Sequence, residues 1–343
     1  MRTVANPPNP FESVHRELLE PAPAARVEIF HDASREILSR NDSPDLPFRW
    51  SVNPYRGCFH GCAYCYARPS HEYWGFGAGT DFESKLVVKE DAPVLLRRAL
   101  ERPSWKGELI LFSGNTDCYQ PLEASYGLTR ACLEVCADYR NPVGIITKGA
   151  LVLRDLDVLM RLHQEAWVRV YFSIPFADED MARKMEPQVP SIRKRFETMK
   201  ALSDAGIATG ISVAPVIPGL NDEAMPELLH QARVAGARRA MFSLLRLSGS
   251  VEPVFMDRIK EAFPDRFAKI TNRLREVRGG RLSESAFFDR HHGVGTYWRM
   301  IEQLFELAKR RAGFDENVEE VIPETFKRPG GVQTTLFDGK EEG

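Results

Sequence analysis

Cys58, Cys62 and Cys65 stand in C-x3-C-x2-C spacing inside NPYRGCFHGCAYCY, a stretch that begins at Asn53 and sets Gly57 and Gly61 directly before the first two cysteines. Three thiolates on one short loop can ligate three irons of a cubane iron–sulfur cluster and leave the fourth iron without a protein ligand. An iron with an open position can bind a substrate or cofactor directly, as the open position of a catalytic metal site does. Glycine at 57 and 61 lets the backbone fold tightly around such a group. The competing chemistry is zinc, which wants four ligands in paired C-x2-C groups. No second pair is present, and His60, the candidate fourth ligand, lies between two of the cysteines. Cys132 and Cys136 fall at i, i+4 on the apolar side of a helical segment, where a core places small hydrophobes. An auxiliary cluster shared with Cys118 is the other reading of these three.

Six cysteines in 343 residues, three of them crowded together, do not form a secreted disulfide framework and point to metal ligation in a reducing cytoplasm. The 46 Lys+Arg against 48 Asp+Glu leave a net charge of −2, which excludes a surface that grips nucleic acid by bulk charge. With 43% hydrophobic residues the chain is neither disordered nor fibrous. No run approaches the ~18 apolar residues of a membrane helix, so no membrane partner is expected.

The elements that must position the cysteines follow from the apolar pattern. Runs at residues 50–54, 108–113, 143–147, 168–173, 209–214 and 239–244 read as strands. Helix-period segments fall between them at 123–139, 151–163, 190–205 and 222–235. Repeated βα units imply a parallel sheet whose strand C-termini carry the site. Six units fall short of eight, so the expected α/β fold is a partial (β/α)6 TIM-like barrel over residues 49–250. An N-terminal arm, 1–48, is expected to wrap it, with a strand and a helical turn between 27 and 38. A C-terminal helical cap, 251–326, carries helices at 253–263, 265–278 and 297–311, and a disordered tail covers 327–343.

C-x3-C-x2-C with an aromatic before the last cysteine, after a first strand and ahead of a chain of βα units, resembles the radical S-adenosylmethionine (radical SAM) superfamily. The segments NPYRGC, HGC, YCYARPSHEY, TDCYQPLE, ITKGALVLRDLDVL and APVIPGLND resemble, more closely, the bacterial DNA-repair-photolyase-like family related to spore photoproduct lyase. The resemblance implies a [4Fe-4S] cluster on Cys58, Cys62 and Cys65, with S-adenosylmethionine chelated on the open iron. One electron, from a donor such as flavodoxin or ferredoxin, then cleaves the cofactor to methionine and a 5′-deoxyadenosyl radical that abstracts hydrogen from a substrate.

The family places cofactor contacts at the strand C-termini. The resemblance assigns Gly114, Asn115, Thr116 and Asp117 to the methionine amino group, although the superfamily often has two Gly and a Glu there; the alternative is an ordinary capped loop. Lys148 either pairs with the methionine carboxylate or is a solvated strand-end lysine. Ser173 bonds the carboxylate or ribose, or closes a turn. Ser212 and Pro215 belong to the loop where adenine would stack, and Tyr64 faces the same base. Cys118 is the candidate hydrogen-atom donor. The photoproduct lyase cysteine falls nearer Gly114, so a packed thiol is the other reading. Arg183 and Glu186, three apart and close to the site mouth, read as a helical surface pair, with positioning of substrate as the alternative. Gly293 and Gly295 after His291-His292 suggest a tight turn over the substrate opening.

The substrate suggested by this likeness is a nucleic-acid lesion or base. Modification of a protein or small molecule, and a non-catalytic iron–sulfur or zinc interaction module, are the alternatives. Clusters Arg193-Lys194-Arg195, Arg238-Arg239 and Lys309-Arg310-Arg311 offer phosphate contacts. Gln333-Thr-Thr-Leu336-Phe337 resembles a sliding-clamp docking peptide.

Overall fold

A computed structural model describes residues 5–12, 26–314 and 321–330; the clamp-like segment Gln333–Phe337 lies outside them. The chain enters through β1 (Glu28–His31) and β2 (Leu38–Arg40), two strands where a strand and a helical turn are expected. β3 (Trp50–Val52) and β4 (Tyr55–Arg56) lead into the cysteine loop, and β5 (Lys85–Val88) follows it. β6 (Ile110–Phe112), β7 (Val143–Thr147), β8 (Val168–Ser173), β9 (Ala208–Val216) and β10 (Arg239–Leu244) complete the strands.

The larger sheet has the order β10-β9-β8-β7-β6-β3-β2. Its strands from β3 to β10 are all parallel, and β2 is added antiparallel at the edge. This is the expected six-unit parallel arrangement. Phe112 pairs with Ile145, Ile145 with Val170, and Phe172 with Ile211, all buried, so the strands read as apolar runs rather than alternations. β5 pairs with β1 and β4 in a separate three-stranded sheet beside the cysteine loop.

The helices are α1 (Thr80–Ser84), α2 (Ala92–Glu101), α3 (Glu123–Tyr126), α4 (Leu128–Asp138), α5 (Leu156–Glu165), α6 (Glu179–Met185), α7 (Ile192–Asp204) and α8 (Met225–Val234). The expected helix at 123–139 is two helices, because Gly127 takes φ 63° between them. The buried Glu123 carboxylate caps the second, accepting from the N–H of Thr129 at 2.8 Å and of Arg130 at 3.2 Å. α9 (Val251–Ala262), α10 (Phe267–Val277) and α11 (Gly295–Ala312) follow the sheet. Phe242 of β10 packs on Trp298 and Phe305 of α11, with ring centroids 5.8 and 4.3 Å apart. The last strand is thus covered by the C-terminal helix, not by a further βα unit.

The first described residues lie against the segment that follows the cysteine loop. Asn6 Oδ1 accepts from the N–H of Gly79 at 3.0 Å, and Asn9 donates to Glu72 O at 3.1 Å. At the other end the Lys327 N–H bonds Tyr139 O at 2.9 Å, and Phe326 stacks on the Tyr139 ring. The last described residues are therefore docked on α2 and α4. No helix among the described residues is long and apolar enough to cross a membrane.

Candidate active site

The cysteine loop runs from β4 to the short helical turn Arg68–Trp74. Gly57 and Gly61 take φ +69° and +66°, conformations L side chains rarely adopt. A Cβ at Gly57 would meet Phe82 O at 3.0 Å, and one at Gly61 would meet the Glu83 carboxylate at 3.0 Å. The loop is pinned by Arg68, which is fully buried. Its guanidinium donates to the carbonyls of Gly61, Cys62, Ala78 and Gly79, at 2.8–3.3 Å, and to Glu83 Oε1 at 2.5 Å. Cys58 and Cys62 are 7% exposed and Cys65 is half-buried.

A second loop, after β6, clamps the first. Asn53 Oδ1 accepts from the N–H groups of Gly114, Asn115 and Thr116 at 3.0, 2.9 and 3.4 Å. The Thr116 hydroxyl donates to Gly57 O at 2.6 Å, and Gln120 spans Gly57 O and the Phe59 N–H. Asp117 accepts from the Thr147 hydroxyl at 2.6 Å and from the N–H groups of Lys148 and Tyr119 at 2.7 and 2.9 Å. His60 Nδ1 lies 3.4 Å from its other face. Burial pushes the Asp117 carboxyl up, but these donors overcome it and hold it at about 2. Burial likewise lowers the His60 imidazole, while the Cys58 and Asp117 charges raise it to about 10. The Cys58 thiol is correspondingly lowered: burial opposes the thiolate and the His60 charge outweighs it. Burial raises Cys62, offset in part by Lys148, and raises Cys65 to about 11, offset in part by Arg68.

Lys148 and Ser173 meet where β7 and β8 end, with Nζ donating to Oγ at 2.5 Å. The same ammonium lies 3.7 Å from Glu186 and 5.7 Å from the centre of the Tyr64 ring. The Tyr64 hydroxyl donates to Glu186. Ser212 is buried beside Ser173 in register, and Pro215 follows a cis peptide bond. Of the expected cofactor residues, Tyr64, Lys148 and Ser173 are thus brought together directly, while Thr116 is taken up by the cysteine loop and Asp117 by the end of β7, Tyr119 and His60.

Glu186 corrects the sequence reading. It is not a surface partner of Arg183 but a buried carboxylate 3.0 Å from the equally buried Arg195. Arg195 also donates to Ser173 O at 2.9 Å, which removes it from the basic cluster expected at 193–195. Nothing in the spacing of Arg68, Asn53, Glu186 or Arg195 marks them; their partners lie anywhere from 6 to 122 residues away. Cys118 lies wholly inside the core, its sulfur accepting from the Ser113 hydroxyl at 3.2 Å, and burial raises its thiol far above the usual range. Cys132 and Cys136 are buried core residues as well. His291 and His292 diverge: His291 bonds Ser243, while His292 faces Glu302.

Among the described residues no three His, Cys, Asp or Glu side chains converge on a position for one metal ion. A cubane takes its thiolates on three separate irons and needs no such convergence. The loop fits that group: three sulfurs on one rigid turn, with Lys148 and Arg68 supplying positive charge to Cys62 and Cys65.

The pattern that defines the Radical SAM superfamily matches residues 52–232. An uncharacterised protein of Mycobacterium tuberculosis is 37% identical over 298 residues, 85% of this chain and 83% of its own. Spore photoproduct lyase, solved in complex with dinucleoside spore photoproduct, superposes with a TM-score of 0.58 at 15% identity, covering 83% of this chain and 79% of that one. A protein of Pseudomonas phage M6 named radical SAM Nalpha-GlyT isomerase is 24% identical over 67% of this chain and 46% of its own length. The chain belongs to the radical SAM superfamily and is an enzyme with a spore photoproduct lyase-like fold.

Proposed function

We propose that this enzyme holds a [4Fe-4S] cluster on Cys58, Cys62 and Cys65 and uses S-adenosylmethionine to abstract hydrogen from a nucleic-acid base. The observation that carries the reading is the position of the cysteine loop, clamped by Arg68 and Thr116, with its Tyr64 ring beside Lys148 and Ser173. When bound, the cluster and cofactor supply a carbon-centred radical by one-electron cleavage of a carbon–sulfur bond, with a flavodoxin or ferredoxin as reductant.

The chain's own part is orientation. Lys148 offers an ammonium to a carboxylate, and Ser173 a hydroxyl beside it. Glu186 holds that ammonium and the Tyr64 ring in register, and Arg195 holds the backbone under Ser173. Gly114 and Asn115 present backbone next to the loop, while Ser212 and Pro215 form the neighbouring wall. Cys118 is assigned packing, since its sulfur is enclosed by the core. A nucleic-acid substrate is favoured by the fold likeness to a protein solved with a dinucleoside.

The test is anaerobic reconstitution of the full chain. About four irons and four sulfides per chain are expected, with 5′-deoxyadenosine released on reduction, and both lost in Cys62→Ala. A preparation that binds zinc without sulfide, or Cys62→Ala retaining full iron, overturns it. With a deuterated oligonucleotide, label should enter 5′-deoxyadenosine; label arriving only from protein or metabolite fractions overturns the substrate.

A further inference from the structure

Arg246 lies two residues beyond the end of β10, at the strand end that carries the site. It is half-buried, yet among the described residues its Nε has no hydrogen-bond partner, and neither has the nearby Ser248 Oγ. The carboxylate in its field is Asp45, which is already committed to Arg290 through contacts at 2.5 and 2.7 Å. Burial and the Arg290 charge both press on the Arg246 guanidinium and lower its pKa. A guanidinium held this way is short of an anion.

Two loops with exposed aromatic rings border this segment: the cysteine loop, and the loop before α11, which is tied to it where Arg278 donates to Leu245 O at 2.8 Å and Arg290 O at 2.9 Å. Tyr66, the residue after Cys65, lies in the field of Arg246 and is 56% exposed, its hydroxyl tied to Gly114 O at 2.7 Å. Phe287 and Phe288 are 51% and 62% exposed. Phe288 takes φ +68°, which is unfavourable for a bulky side chain. Its N–H is fixed by Asp45 at 3.1 Å, and the Arg290 guanidinium sits 4.9 Å from the Phe287 ring. Two phenyl rings are thus held out to solvent by a braced, strained loop, a form of strain that collects at ligand clamps.

We infer that Tyr66, Arg246, Phe287 and Phe288 form a nucleotide-binding rim, in which Arg246 takes a backbone phosphate and the rings stack on an unpaired base. Ring faces for stacking and positive charge for the backbone are the two components of single-strand recognition, and Arg246 brings the charge with its Nε still unpaired. Tyr66 belongs to the cysteine loop and bonds Gly114 O after β6, and Arg246 follows β10, so the rim adjoins the strand ends that carry the site. This inference rests on the nucleic-acid reading above.

The test is fluorescence anisotropy of the reconstituted full chain with a short fluorescein-labelled oligodeoxythymidine. Saturable binding is expected. Phe288→Gly should weaken it about tenfold or more while leaving the melting temperature unchanged or raised, because glycine accepts the left-handed backbone. Arg246→Gln should flatten the dependence of log Kd on log salt by about 0.7. If the wild type binds and both variants match it in affinity and salt slope, the rim is overturned and the nucleic-acid reading stands. If the wild type shows no saturable binding, the rim and the nucleic-acid reading both fall, whereas iron and sulfide content still judges the cluster.

Discussion

The Glu186 carboxylate sits 3.0 Å from the Arg195 guanidinium, and neither side chain is open to solvent beyond 1%. The contact is an ion pair rather than an aligned hydrogen bond, since Glu186 Oε2 accepts none. Its other oxygen takes the Tyr64 hydroxyl and faces Lys148. One carboxylate thereby couples the cysteine loop, the end of β7 and α7.

Arg195→Met should therefore destabilise strongly, by about 3–5 kcal/mol, because the partner charge stays buried without compensation. Adding Glu186→Gln should recover a large part of that loss in urea unfolding. Additive effects of the two substitutions would sink the coupling.

Asn53 should be sensitive to loss of its oxygen. Three backbone N–H groups of the loop after β6 converge on Oδ1, so Asn53→Ala leaves buried donors without an acceptor, at about 1–3 kcal/mol. Asn53→Asp keeps the acceptor and should stay within about 1 kcal/mol of wild type. Equal denaturation midpoints for the alanine and aspartate variants would contradict this.

His71 sets a pH dependence. Its ring is 1% exposed and bonds Lys85 O at 2.8 Å, and burial lowers its pKa from 6.5 to about 4. The folded state thus favours the neutral ring, and the unfolded chain binds the extra proton. The contribution is complete above pH ~6.5 and is lost as pH falls toward ~4, up to about 3 kcal/mol. His291 is lowered in the same window, so the comparison must be made against His71→Gln. The stability difference between pH 7 and pH 5 should shrink in that variant; an unchanged difference would remove His71 from the account.

These three sites show where sequence reading runs out. The strands at 143–147 and 168–173 are found at their expected bounds because parallel strands buried on both faces leave mostly apolar runs; the edge strand at 239–244, half-buried along most of its length, is found there as well. The cysteine spacing is legible for a similar reason: its chemistry is local. β5 was not expected, since four residues gain meaning only by pairing with β1, 57 residues earlier. α2 was not expected either, although Ala92, Leu95, Leu96, Ala99 and Leu100 carry a regular helical spacing. Asn53, Arg68 and Glu186 are ordinary polar residues in sequence, and only the folded backbone, near in sequence for Arg68 and distant for Asn53 and Glu186, gives them a task.

Arg68 gives the sharpest case. Five acceptors surround one planar guanidinium: four backbone carbonyls and the Glu83 carboxylate. Lysine carries the same charge but three donors on a single nitrogen, and cannot reach both sides of that fork. Arg68→Lys should therefore leave the carbonyls of Gly61 and Cys62 or those of Ala78 and Gly79 unsatisfied. A loss of about 3 kcal/mol or more is expected. Because the freed carbonyls belong to the cysteine loop, iron and sulfide per chain should fall together with the melting temperature after anaerobic reconstitution. If Arg68→Lys bound wild-type amounts of both at an unshifted melting temperature, charge alone would hold the loop, and the fork would be irrelevant to it.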